Sequence, residues 1–216
     1  MDGTMVELDD TRRRLLEAAG PLFAEKGFKA TNVRDLCERA GAFPGAVNYH
    51  FRNKEQLYLE TVKYAYEQMA AAVPLPNWLP GVPAAQRLRD FIRVFFTRLT
   101  SQNFPAWCGR LLMREMDEPT GEACFQIVEG FIKPMCDVLL GILRELLPPG
   151  VSNVKLRQIG FSVVGQCLHY HHGRHVMPLL IGEEELRSFT VECMAEHVAD
   201  FSLAALGRFN AGGKAP

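Results

Sequence analysis

Cysteine and histidine gather once in this 216-residue chain, where Cys167, His169, His171, His172 and His175 fall within nine positions. On a helix, Cys167, His171 and His175 succeed one another at four-residue steps, and His172 and His175 share a neighbouring face. Thiolate and imidazole are zinc ligands, so adjacent members of that row can grip one ion. A single straight helix cannot close a tetrahedral site with residues spanning two turns, however, and no carboxylate or second cysteine is supplied locally. The expected metal and cofactor set is therefore empty. The remaining cysteines are scattered without a C-x-x-C pair, which fits reduced thiols in a cytoplasm. Hydrolytic and nucleotide-dependent chemistry finds no footing either. His-Glu-x-x-His and the phosphate and dinucleotide loops are absent, and Gly160-Phe161-Ser162-Val163-Val164-Gly165 misses the nucleophile elbow by its spacing. No catalytic residue is expected.

A second group of polar residues lies in Thr31 to Lys54, and the elements that must position them are legible. Thr31 is an N-cap type, and Val33, Leu36, Cys37 and Ala40 then fall on one helical face. Gly41 suits a C-cap with positive φ, and Pro44 can open the next helix because its missing N–H would be unpaired there anyway. In that helix Val47 and Phe51 pack inward, leaving Pro44, Ala46, Asn48, Tyr49 and His50 outside or at the flanks. Asn53 can cap a third helix, whose free amides and Lys54 then point at a phosphate. Two short helices around a turn of about three residues form a helix-turn-helix, and double-stranded DNA is the partner this implies.

Phe23-Ala24-Glu25-Lys26-Gly27-Phe28, Ala30-Thr31, Gly45-Ala46-Val47-Asn48-Tyr49-His50-Phe51 and Asn53-Lys54-Glu55-Gln56-Leu57-Tyr58 stand in register across about residues 10 to 60. In these motifs the segment resembles the DNA-binding domain of TetR-type transcriptional regulators. The resemblance implies that Arg34, Pro44, Ala46 and Asn48 face base edges. Asn48 can pair bidentately with adenine and Arg34 with guanine, while Pro44 and Ala46 offer apolar contact. It likewise implies that Thr31, Tyr49, His50 and Lys54 hold phosphates, which sets register without reading sequence. Phe43 departs from the small polar residue common in the family's turn, and is expected to pack. Arg114-Glu115-Met116-Asp117-Glu118-Pro119-Thr120 is similar to a TetR subgroup with its own carboxy-terminal domain.

Charge divides the chain in the same way. From Arg12 to Lys54 nine basic residues face four acidic ones, a net of +5, so the remainder carries −6 beneath a whole-chain net of −1. Only the amino-terminal part suits a phosphate backbone. The helix before the motif carries Leu15, Leu16, Ala19, Leu22 and Phe23 at helical spacing, and Pro21 predicts a bend near Glu17.

Beyond Lys54 a helix continues to about Met69, and Pro74, Pro76, Pro80, Gly81 and Pro83 then mark an interdomain loop. Helical period covers about 84–101, 104–116, 120–147, 152–176 and 183–207, and nothing alternates like a strand. The fold expected is all-α, of about nine helices. A helix-turn-helix DNA-binding domain occupies residues 1–55, and an effector-binding and dimerisation domain occupies 56–210. No uninterrupted apolar run is long enough to span a membrane, and the amino terminus lacks the apolar core of a signal peptide.

The last two helices are too apolar for isolated surface elements. Val164, Leu168, Met194, Val198 and Phe201 are the expected contacts of a homodimer, in the four-helix arrangement that the TetR resemblance implies. Gly160 and Gly165 allow close helix approach. In the middle helices Phe95, Trp107, Met113 and Phe125, with Phe96, Met116 and Ile127, suit an apolar effector pocket to which Arg110, Arg114 or Glu115 adds polar contacts. The sequence thus reads as a cytoplasmic, ligand-responsive regulator, a repressor that binds a palindromic operator as a homodimer and is released by a small apolar or aromatic effector. The alternative is a metal-sensing regulator using the Cys167/His171/His175 region.

Overall fold

The computed structural model describes residues 2–210, with side chains described from residue 10 onward. Its helices are α1 Asp2–Ala30, α2 Val33–Arg39, α3 Ala46–Phe51, α4 Lys54–Ala72, α5 Ala84–Thr100, α6 Ala106–Asp117, α7 Glu122–Ile127, α8 Lys133–Leu146, α9 Asn153–Gly173, α10 Met177–Ile181, α11 Glu183–Leu186 and α12 Val191–Asn210. Among the described residues there is no strand, as the helical period requires. About nine helices were expected because 120–147 reads as one. A π-helical turn, Val128–Ile132, divides it into α7 and α8. Pro134 has no N–H to return to the carbonyl of Gly130, so the regular ladder cannot run through this point. The short α10 and α11 likewise separate from α12.

Two compact units emerge. The first comprises residues 2–72 and 102–132, the second 73–101 and 133–210. In the first, α6 lies against both α1 and α4. Leu15, Ala19, Phe23, Leu57, Val62, Cys108 and Leu111 make its interior. Phe23 and Tyr58 meet edge to face at 4.8 Å. Gly20 lies directly beneath the Trp107 ring, where a Cβ has no room. Helix α1 keeps helical torsions through Pro21, and the residue that departs from them is Gly27, at φ 78° and ψ 172°. Arg114 fills the space beside Gly27. Its guanidinium donates to the Glu25 carbonyl at 3.3 Å and to Glu118 at 3.0 Å, satisfying α1 where its ladder ends.

The second unit packs α5 against α8, α9 and α12. Its core contains Leu88, Phe91, Ile92, Phe96, Leu139, Ile142, Leu143, Val163, Cys167 and Val198. A Cβ on Gly160 would stand 3.1 Å from Leu140, so this glycine serves contact with α8 inside the chain, whereas Gly165 has nothing within 4 Å. Arg87 pairs with Glu145, and Arg89 with Asp200 at 2.5 Å. Among the described residues no helix is long and apolar enough to cross a membrane.

Candidate nucleic-acid interface

Local hydrogen bonding holds the helix-turn-helix rigid. Asn32, not Thr31, caps α2, its Oδ1 accepting the Arg34 N–H at 2.8 Å. Both residues are cap types, and the break at Gly27 decides between them. The freed Gly27 carbonyl takes the Thr31 hydroxyl at 2.7 Å, and Thr31 is 3% exposed. Gly41 closes α2 at φ 59°, with the Ala42 N–H returning to the Cys37 carbonyl at 2.9 Å. The Cys37 thiol reaches the Pro44 carbonyl at 3.6 Å and pins the turn. Helix α3 ends at Arg52, whose φ of 70° is the one positive value on a non-glycine among the described residues. Asn53 caps α4 through the Gln56 N–H at 2.8 Å, as its residue type predicts.

The expected DNA residues divide by exposure. Arg34, Pro44, Asn48 and Tyr49 are exposed. Ala46 is 0% exposed and belongs to the packing between α2 and α3, so its place is beneath the surface rather than on it. Phe43, expected to pack, is instead 57% exposed, because Leu36, Cys37, Ala46, Val47 and Phe51 already fill the space under the turn. His50 is half-buried. Burial, and after it the charge of Arg12, pushes its pKa below the usual 6.5. The Lys54 ammonium turns back to the α1–α2 junction, donating to the Thr31 carbonyl at 2.8 Å and standing 4.6 Å from the Phe28 ring centroid.

Part of the basic charge is committed to structure. Arg12 pairs with Glu60 at 2.7 Å and lies over the Phe51 ring. Arg13 pairs with Asp10 and Glu17, and Arg14 binds Asp10 and the Ala40 carbonyl. Arg34, Arg39, Lys26, Lys29 and Arg52 remain exposed. The Arg13 pairs and the Arg14–Asp10 pair lie at helical spacing in the sequence. The Arg12 and Arg14 contacts to Glu60 and Ala40 join distant segments.

The other expected sites are more dispersed. Phe95 belongs to the second unit, while Trp107, Arg110, Met113, Arg114 and Phe125 belong to the first. Trp107 is committed to Gly20 and stacks on Tyr64, and Arg114 is committed to Glu25 and Glu118. Phe125, 61% exposed, borders an open groove of about 300 Å³ with Leu59, Lys63, Glu129 and Phe131. Glu115 is wholly buried and occupied by Tyr58 and Thr120. On the last helices Val198 is 0% exposed inside the core of its own unit, and Val164 and Met194 lean on that core. Leu168 is half-buried, and Phe201 is 60% exposed. Cys167 is buried, which pushes its thiol up to about 12, whereas His175 is exposed. Among the described residues no three His, Cys, Asp or Glu side chains stand where one metal ion could be held, and His175 lies beyond the end of α9 at Gly173.

Comparison with known proteins places this geometry. Residues 15–61 match the family model described as bacterial regulatory proteins, tetR family. Residues 84–206 match the C-terminal domain of the HTH-type transcriptional dual regulator CecR. The repressor KstR2 of Mycobacterium tuberculosis is 38% identical over 63 residues, 29% of this chain and 32% of KstR2. The regulator UidR of Escherichia coli is 37% identical over 57 residues, 26% of this chain and 29% of UidR. The chain thus matches about a third of the length of these curated relatives. A tetR-family regulatory protein from Rhodococcus RHA1 shares the fold with a TM-score of 0.66 at 17% identity, covering 91% of this chain and 96% of that one. AibR, crystallised with isovaleryl coenzyme A and operator DNA, gives 0.64 at 18%, covering 88% and 97%. The capped helix-turn-helix and the CecR-type match over more than half of the sequence agree, and the chain belongs to the TetR family of transcriptional regulators.

Proposed function

We propose that this chain is a cytoplasmic repressor that binds a palindromic operator as a homodimer and leaves it when a small apolar or aromatic effector binds. The observation that carries the DNA reading is the shared exposure of Arg34, Pro44 and Asn48 on a helix-turn-helix in which Asn32 caps α2 and Asn53 caps the following α4. Rigid presentation matters because base discrimination requires bidentate geometry. Asn48 addresses adenine, Arg34 addresses guanine and Pro44 makes apolar contact. Tyr49 and His50 hold phosphates, as does Lys54 at the amide end of α4. Thr31 and Ala46 serve the same interface from beneath, through the loop backbone and a slim α3.

Dimerisation is assigned to the outer faces of α9 and α12, where Phe161 and Phe201 are 70% and 60% exposed and Gly165 leaves an open surface. Leu168 and the rims of Val164 and Met194 complete that face, while Val198 supports it from inside. Two copies present two recognition helices to successive major-groove turns. Release requires an effector that prefers a conformation whose heads mismatch the operator. AibR, of the same fold, holds a coenzyme A thioester and operator DNA together, which supports a fold with room for both.

The test begins with selection of bound duplexes from genomic fragments of the source organism by the purified protein. Asn48→Ala is then expected to lose affinity for the selected operator while keeping its affinity for random DNA. Equal loss on both would remove Asn48 from base reading.

A further inference from the structure

The helix-turn-helix carries one aromatic side chain that its own packing leaves in water. Phe43 is 57% exposed, and the residues beneath it leave no place for its ring, since Leu36, Ala46 and Val47 are 0% exposed and Cys37 and Phe51 are at 2% and 4%. The backbone holds it outward. The Phe43 carbonyl accepts the Ala46 N–H at 2.9 Å and the next carbonyl, of Pro44, accepts the Cys37 thiol, so the peptide groups after the ring are tied inward. Ring atoms lie 3.1 and 3.5 Å from where a Cβ on Gly45 would stand, which places the ring over the residue that opens α3. Pro44 and Gly45, which follow it in the turn, and Asn48 and Tyr49 on α3 are all exposed as well.

That position is the amino-terminal end of the recognition helix, the end that meets base edges when such a helix enters the major groove. The apolar group displayed there is the thymine C5-methyl, and phenylalanine is among the side chains that contact it. We propose that Phe43 reads a thymine by packing against its C5-methyl group, adding one base pair to those addressed by Arg34, Pro44 and Asn48. This rests on the DNA-reading face proposed above. The ring occupies a turn position where the family resemblance offers a small polar residue, so the contact belongs to this chain rather than to the shared motif.

The experiment uses the full-length protein and the duplex it selects from a random-sequence pool. Each thymidine of the half-site is replaced in turn by deoxyuridine, which removes only the methyl group, and binding is measured for wild type, Phe43→Ala, Phe43→Leu, Pro44→Ala and Asn48→Ala. One replacement should weaken wild type by about fourfold per half-site, the equivalent of one buried methyl group. Phe43→Ala should be insensitive at that position, Phe43→Leu intermediate, and Pro44→Ala and Asn48→Ala as sensitive as wild type. Wild-type indifference to every replacement, or undiminished sensitivity in Phe43→Ala, would overturn the assignment. Failure of wild type to select any duplex would overturn the DNA reading and this contact with it.

Discussion

The Tyr58 hydroxyl donates to Glu115 Oε2 at 2.5 Å, in a place where Glu115 is 0% exposed. Thr120 completes the site, its N–H and hydroxyl meeting Oε1 at 2.8 and 2.9 Å. Burial first, and then the carboxylate, raises the Tyr58 pKa well above its ordinary value, so the phenol is a fixed donor. One carboxylate thereby ties α4, one turn beyond Lys54, to α6 and to the turn before α7. Removing the phenol leaves a buried acceptor short of one partner. Tyr58→Phe should cost about 1–3 kcal/mol in urea denaturation. Glu115→Ala, which orphans both partners, should cost more. A Tyr58→Phe midpoint equal to that of wild type would show the bond to be dispensable.

Gly20 lies against Trp107 with no room for a methyl group. Alanine would gain about 1 kcal/mol of helix propensity in an open helix. Here overpacking should dominate, and Gly20→Ala should lower stability by about 1–3 kcal/mol. Trimming the ring with Trp107→Leu in the same chain should recover part of the loss caused by Gly20→Ala. Thermal unfolding of the four members of this cycle measures the coupling.

His50 links DNA binding to pH. Its pKa in the free protein lies below 6.5, so the ring is neutral at pH 8. For folding, the depressed value means that the His50 contribution is intact above pH 6.5 and is lost as pH falls through the lower folded pKa. A phosphate beside the ring acts oppositely and raises the pKa in the complex. Affinity for DNA should therefore rise as pH falls from 8 to 6, with uptake of up to about one proton per head. His50→Gln should flatten that slope, and an unchanged slope would place His50 away from phosphate.

Lys54 serves two purposes, so its removal should be read by two measurements. The ammonium bonds the Thr31 carbonyl and faces the Phe28 ring, and Lys54→Ala should cost about 1 kcal/mol of stability. The same substitution should lower affinity for all DNA and reduce the salt slope by about one unit. An unchanged salt slope would confine Lys54 to the structural role.

Val198 and Phe201 sit three residues apart on α12 and should respond in opposite ways. Phe201→Asp is expected to leave helicity and Tm near wild type while converting dimer to monomer in sedimentation equilibrium. Val198→Ala should keep whatever assembly forms and lose about 2 kcal/mol of stability. A dimer unaffected by Phe201→Asp would remove the α12 face from the interface.

The sequence by itself determined the elements whose signals are local. Helical period without alternation made the chain all-α, and Gly41 and Asn53 marked the end of α2 and the start of α4 because caps and torsional preferences act within a few residues. Pro44, expected to open the recognition helix, lies in the turn instead, and α3 begins at Ala46. Tertiary structure decided everything that depends on a distant partner. Arg12 and Arg14, counted in the basic charge of the amino-terminal part, are held within the fold because Glu60 and the Ala40 carbonyl are folded against them. Thr31 yields the cap to Asn32 because the break at Gly27 offers its hydroxyl a nearer acceptor. Val198 turns inward and Phe201 outward because α5 covers only one side of α12, a choice that apolar content along one helix cannot express. Phe43 emerges for the same reason. Its exposure follows from five other residues having filled the space beneath the turn, and occupied volume is a property of the packed fold rather than of the residue.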